Sequence, residues 1–136
     1  MTMETIMFEI LGKPVGKGRP RFGNGFTYTP KKTVEFENLV RLAWMNEGHA
    51  KLDGDIAVEI EARFPIPKSV SKKKRAELDG MPYPHKPDVD NICKTILDAL
   101  NGIAYDDDAQ VTYVTVYKAY AETPKTIVTL HPSGID

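Results

Sequence analysis

Carboxylates gather in one stretch of this chain. Between positions 85 and 110 stand Asp88, Asp90, Asp98, Asp106, Asp107 and Asp108, with Lys94 among them. Carboxylates brought together repel one another and need a counter-charge, which a hard cation supplies. Donors that are all oxygen favour magnesium or manganese over zinc. Ions of that kind serve phosphoryl-transfer chemistry, where they activate water and neutralise charge on a phosphodiester. Lys94 lies one turn from Asp90, placed to steady a phosphate beside such an ion. Each acid also has a plainer role when taken alone. Asp88 suits a helix N-cap, and Asp106, Asp107 and Asp108 suit a turn. A calcium-binding helix-loop-helix is disfavoured, because the alternate-residue spacing and the closing glutamate of its loop are missing.

The local pattern says which elements carry these groups. Pro87 marks a boundary, since proline is tolerated at a helix start and not inside one. Beyond it Val89, Ile92, Cys93, Ile96, Leu97 and Leu100 recur at helical spacing on one face. Gly102 ends that helix. The other face carries Asp90, Lys94 and Asp98, each four residues from the next. Asp88 sits at the helix mouth. Asp106, Asp107 and Asp108 come directly before a strand-like run at 111–120. Acids from the helix entrance and the strand entrance can converge if the two elements pack together.

The series Asp88-Val-Asp90-Asn91-x-x-Lys94, followed after a short helix by Asp107-Asp108-Ala-Gln110-Val, resembles the signature of the RusA family of Holliday-junction resolvases. The early segment Gly-Lys-Gly-Arg-Pro-Arg-Phe resembles that family's basic N-terminal segment. The resemblance implies a small, often prophage-encoded, homodimeric endodeoxyribonuclease that acts on branched DNA in recombination and repair. It implies dependence on magnesium, with manganese as a substitute. It carries catalytic and metal-binding roles onto Asp88, Asp90 and Asp108, a supporting catalytic role onto Lys94, and a secondary metal role onto Asp107. Asp106 receives none. The alternative is a catalytically inactive protein that binds branched DNA on the same scaffold.

The 136 residues suit one domain, 1–136, with a single core. No apolar run reaches the length of a membrane span, and the N-terminus lacks a signal-peptide pattern. The single cysteine, Cys93, lies on the apolar helix face and reads as a small buried hydrophobe. A reducing cytoplasm is the expected compartment. The net charge of −1 does not mark a nucleic-acid binder, but the distribution is uneven. Lys13, Lys17, Arg19, Arg21, Lys31 and Lys32 crowd the first quarter. Lys68, Lys72, Lys73, Lys74 and Arg75 form a second cluster. Lys13, Lys17, Arg19, Arg21, Lys72, Lys73 and Lys86 are the candidate DNA contacts.

Taken in order, residues 5–11 read as a strand apolar on both faces and therefore central. Residues 12–21 read as a basic loop broken by glycine and proline. A hairpin turns at Gly23-Asn24-Gly25, with Phe22, Phe26 and Tyr28 pinning it to the core or, alternatively, stacking on exposed bases. Thr33 caps a helix ending near Glu47, with Phe36, Leu39, Val40, Ala43, Trp44 and Met45 on its apolar side. Residues 56–64 alternate as a half-buried strand, its Glu59 and Glu61 solvated. Ser71 caps a short helix over 72–78. Strands at 111–120 and 126–130 pair as a C-terminal hairpin, and His131 opens a poorly ordered tail. The fold expected is α+β: a mixed β-sheet packed with helices. If Asp90 binds the metal, Asp90→Asn keeps the fold and junction binding but loses cleavage by about 10³-fold, the scale on which one charge-stabilising group acts; gel assays of cutting and binding check this.

Overall fold

The computed structural model describes residues 5–132. Four strands form a mixed sheet: β1 (Ile6–Leu11), β4 (Ile56–Pro65), β5 (Val111–Ala121) and β6 (Lys125–Pro132), in the order β1-β6-β4-β5. A separate hairpin holds β2 (Arg21–Gly23) and β3 (Phe26–Tyr28). Three helices complete the α+β fold: α1 (Lys31–Asn46), α2 (Lys72–Leu78) and α3 (Val89–Leu100). β1 and β4 each run antiparallel to β6, and β5 runs parallel to β4. The parallel pair requires a crossover, and α2 and α3 supply it.

Strand alternation makes the sheet two-faced. Ile6, Phe8 and Ile10 of β1, Val58, Ile60, Ala62 and Phe64 of β4, and Val128 and Leu130 of β6 are buried together. Phe36, Val40 and Trp44 of α1 and Ile92, Ile96, Ala99 and Leu100 of α3 complete this core. Burying a side chain such as Ile96 contributes about 2–3 kcal/mol, which is what holds α3 to the sheet. Tyr105, just beyond α3, is fully buried, and its hydroxyl donates to the Leu97 carbonyl at 2.8 Å. On the other sheet face Glu9, Glu59, Glu61 and Arg63 meet solvent, as expected for the acids of β4. Met7 and Leu11 are exposed on that face too, 58% and 72%. β1 is first in the strand order, an edge strand and not a central one; its outer residues are apolar, but no layer among the described residues covers them.

The two C-terminal strands are consecutive and opposite in direction, joined by the tight turn at 122–124. β4 lies between them, however, so both pair with β4 and not with each other. Their alternation reports a buried face but carries no information about which neighbour completes the ladder. β6 continues through His131 to Pro132, where the His131 ring lies 3.6 Å from the Glu59 carboxylate. The rest of the expected tail, 133–136, falls outside the described residues.

β5 is the other edge. Its second half is covered by the extended segment leading to α3: Gly80 N–H donates to Tyr120, Tyr120 N–H to Met81, and Tyr83 N–H to Lys118. Tyr83 stacks on Phe64 with ring centroids 4.0 Å apart. The path into α3 is thus fastened along a strand. α1 starts on Pro30 and not on Thr33. Proline's fixed φ suits a helix start, which leaves the buried Thr33 hydroxyl to accept from Gly18 N–H at 3.1 Å. The cap at Ser71 is as expected: its hydroxyl accepts from Lys74 N–H. α2 itself buries no residue.

Candidate functional site

α3 presents two free charged groups. Asp90 in its first turn and Lys94 one turn later are both exposed, and neither has an ion-pair partner among the described residues. Asp88 occupies the N-cap position but does not cap. Its carboxylate accepts from Lys86 Nζ at 2.9 Å. That bond, opposed by burial and helped by the charges of Lys86 and Lys118, holds the Asp88 carboxyl below the usual carboxylate range. Negative charge at this end of α3 also meets the positive end of the helix dipole.

Lys118 is a residue that sequence reasoning missed. Its ammonium donates to the carbonyls of His85 at 2.6 Å and Pro87 at 2.9 Å, bracketing the turn into Asp88. His85 packs its ring edge-on to Tyr83 and shares a 3.2 Å hydrogen bond with the Tyr120 hydroxyl. These contacts settle the approach to the helix.

The acids after α3 are sorted by local geometry. Asp106 pairs with Lys51 at 3.1 Å. Asp107 caps the short 3-10 turn Asp108–Gln110, accepting from Ala109 N–H, while the Gln110 side chain closes a capping box. Asp108 N–H donates to the Asn101 side chain at 3.1 Å, and the Asp108 carboxylate is left exposed. The sharing of a hydrogen bond with Asp107, then burial, then the negative charges of Asp107 and Asp98, raise the Asp108 pKa.

Asn101 is the C-cap of α3, directly after its last residue Leu100. Asp88 and Asp90 therefore mark the entrance of a twelve-residue helix and Asp108 its exit, about 18 Å apart along the axis. α3 and β5 do pack together, but β5 begins beside the helix exit, so the acids do not converge within one chain. Among the described residues no group of three His, Cys, Asp or Glu side chains is placed to hold a metal. The donor chemistry suits a hard cation; one chain provides it only in two separated parts.

A cleft of about 570 Å³ opens at the α3 entrance, lined by Lys13, Arg19, Arg21, Lys32 and Lys86 along with Pro87 and Asn91. The basic loop is seated tightly there. Lys17 N–H donates to the Asn91 carbonyl at 2.9 Å. A Cβ on Gly16 would stand 2.6 Å from Pro87 Cβ, and one on Gly18 would stand 2.8 Å from Pro30 Cγ, so only glycine lets the backbone this close. Lys13, Arg19, Arg21 and Lys32 have no acidic partner among the described residues.

Lys17 differs from its neighbours. Its ammonium turns inward to Glu37 at 2.8 Å and Asp98 at 3.1 Å. The expected surface of Asp90, Lys94 and Asp98 is thereby divided: Asp98 belongs to this internal cluster. Burial lowers the Lys17 pKa, but the hydrogen bonds to Glu37 and Asp98 outweigh it and leave it raised. Glu37 had a signal in the sequence, since it falls among Thr33, Phe36, Val40 and Trp44 on the buried stripe of α1. Lys72 and Lys73 stand exposed on α2, outside the cleft.

Two outcomes follow from these charges. Lys17→Met strands Glu37 and Asp98 together and costs about 3 kcal/mol, measured as a lower denaturant midpoint. Because the Lys17 pKa is raised, its contribution is complete below the ordinary lysine value of 10.5 and is lost only as pH climbs through the higher folded value. For Asp108 the pH slope has the same sign, but here it is the charged form that the fold disfavours. A carboxyl with a raised folded pKa loses stabilisation as pH rises past its ordinary value of 3.8 and through the folded value. Asp108→Asn consequently raises the melting temperature of the metal-free protein at pH 7, and the gain over wild type vanishes below the ordinary value; calorimetry across pH checks it.

Comparison with known proteins places the chain in a family. The family model described as Endodeoxyribonuclease RusA matches residues 12–131. The "Uncharacterized protein YqaN" of Bacillus subtilis (strain 168) is 38% identical over 132 residues, covering 90% of this chain and 93% of that protein. With the match spanning the basic loop, α3 and the acids beyond it, the chain belongs to the RusA family of endodeoxyribonucleases.

Proposed function

We propose that this chain is a magnesium-dependent endonuclease that resolves four-way DNA junctions as a two-fold homodimer, in recombination and repair within the cytoplasm. The observation that carries the reading is the cleft at the α3 entrance, where Lys13, Arg19, Arg21 and Lys32 lack acidic partners among the described residues; Asp90 and Lys94 stand exposed on the first turns of the same helix. In a chain of net charge −1, leaving those cations uncompensated in one place favours a polyanion there.

Asp88, Asp90 and Asp108 would hold the metal, with oxygen donors suited to magnesium or manganese. Such an ion, when bound, activates water and neutralises charge on the phosphodiester. Lys94 orients the phosphate, and the cleft cations grip the flanking strand. The separation of the acids supports a dimeric site. Two α3 helices packed antiparallel about a two-fold axis would bring the entrance of each to the exit of the other. Val89, Cys93 and Leu97 line one side of α3 and are exposed or half-buried, and no described segment pairs with the outer edge of β5 over its first half. A two-fold dimer presents two sites to two strands, which suits paired incision.

The direct test is incubation with a synthetic four-way junction and magnesium, for which paired, symmetric nicks are expected. Binding without cutting under those conditions would point to an inactive branched-DNA-binding protein. The dimeric site has its own test. Asp90→Asn and Asp108→Asn proteins, each inactive, regain cutting when mixed, because the mixed dimer rebuilds one complete site. If the mixture stays inactive although subunits exchange, the acids act within a single chain.

A further inference from the structure

The hairpin of β2 and β3 is unused by any contact described so far. Its turn, Asn24-Gly25, has φ of 51° and 82°, the left-handed pair that closes a two-residue hairpin. Of the two roles open to the rings, pinning the hairpin to the core is not the one they take: Phe22 is 76% exposed, Phe26 59% and Tyr28 46%. Three-residue strands on their own cannot bury a face, so this exposure is set by geometry and not by a missing side chain nearby.

The register places the rings. Arg21 pairs with Tyr28 and Gly23 with Phe26, while Phe22 pairs with Thr27. Directly paired residues share a face, so Arg21, Phe26 and Tyr28 stand on one side and Phe22 on the other. Arg21 lines the cationic cleft, which puts Phe26 on the cleft side. Tyr28 lies across Gly23, and a Cβ there would meet its ring at 3.2 Å. The hairpin is a thin blade with an aromatic ring on each face, rooted among arginines without acidic partners among the described residues. Apolar burial against a second protein would leave those arginines facing an ordinary surface. A polyanion with exposed aromatic faces satisfies rings and cations together.

We propose that the Arg21–Tyr28 hairpin is a base-stacking blade: Phe26 and Phe22 stack on DNA bases that lose their stacking neighbour at the branch point. This rests on the reading of the chain as a junction-binding enzyme and adds the element by which it tells a branch from continuous duplex. Continuous duplex offers no open base faces within its length, whereas each arm of an unstacked four-way junction ends in one at the branch point. Stacking is tolerant of base identity, so the blade reads structure and not sequence. Side chains that wedge between bases act in the same way in bent duplexes.

The test titrates wild type, Phe26→Ala, Phe22→Ala, Phe26→Tyr and Arg21→Ala against a labelled four-way junction and a continuous duplex of the same arms. EDTA prevents cutting, and a salt series is run for each. Phe26→Ala and Phe22→Ala are expected to lose junction affinity by about tenfold or more, with duplex affinity and salt slope unchanged. Phe26→Tyr keeps the affinity, because it keeps the ring. Arg21→Ala weakens both substrates and lowers the salt slope by about one. If wild type prefers the junction but both alanine variants bind it equally well, the blade is wrong and the junction reading survives. If wild type shows no preference for the junction, both fail. Should either alanine variant turn a dimeric wild type into monomers on size exclusion, the rings belong to a subunit contact and the inference is overturned.

Discussion

One ammonium ties three parts of this protein together. Lys17 leaves the basic loop, enters the space between α1 and α3, and bonds Glu37 on one and Asp98 on the other. Glu37 is nearly buried, its side chain only 8% exposed, so a missing partner would leave an uncompensated charge in a poor dielectric. Ion clusters of this kind contribute less to net stability than to register, because desolvation offsets much of the attraction. Register is what the site needs here. With Lys17 anchored and Gly16 pressed against Pro87, the remaining cations of the loop stand over the entrance of α3.

α3 acts as a spacer. Its buried stripe fixes it to the sheet, and that fixed rod holds Asp88 and Asp90 at one end and the Asn101–Asp108 contact at the other. The arrangement is electrostatically economical in the free chain. Two acids meet the positive end of a helix dipole, Lys86 offsets one of them, and Asp108 is kept from the others. Within one chain the length of this rod, and not repulsion, sets the separation of Asp88 and Asp90 from Asp108.

The remaining surfaces divide by charge and by order. The open sheet face carries Glu9, Glu59, Glu61 and Arg63, with its acids engaged by Lys125, His131 and Arg63. The helix entrance carries four cations, Lys13, Arg19, Arg21 and Lys32, without an acidic partner among the described residues. A polyanion is drawn to the second and not to the first. The β2–β3 hairpin projects from the same region, and its rings stay in solvent because two short strands cannot make a core.

Much of the local structure was legible in the residues. α3, β4, the Ser71 cap and the Asn24-Gly25 turn each follow from a period or a backbone preference that acts over a few positions. The acids at 88, 90 and 108 and the lysine at 94 stood out because their types and spacing are rare together. The short 3-10 turn at 108–110 also has a local cause, since Gln110 stands three residues after Asp107 as a capping box requires. Non-local partners were not legible. Alternation in β5 and β6 could not say that β4 would lie between them, nor could the apolar faces of β1 say that one would stay uncovered. The charge on Lys17 looked like those on Arg19 and Arg21, and only the meeting of α1 and α3 turned it inward. By itself the sequence determined which groups can do chemistry and which short elements carry them, because those depend on side-chain type and local period. The tertiary structure alone decided which charges are free and which acids meet, because Coulomb interactions and burial depend on distances between elements far apart in the chain.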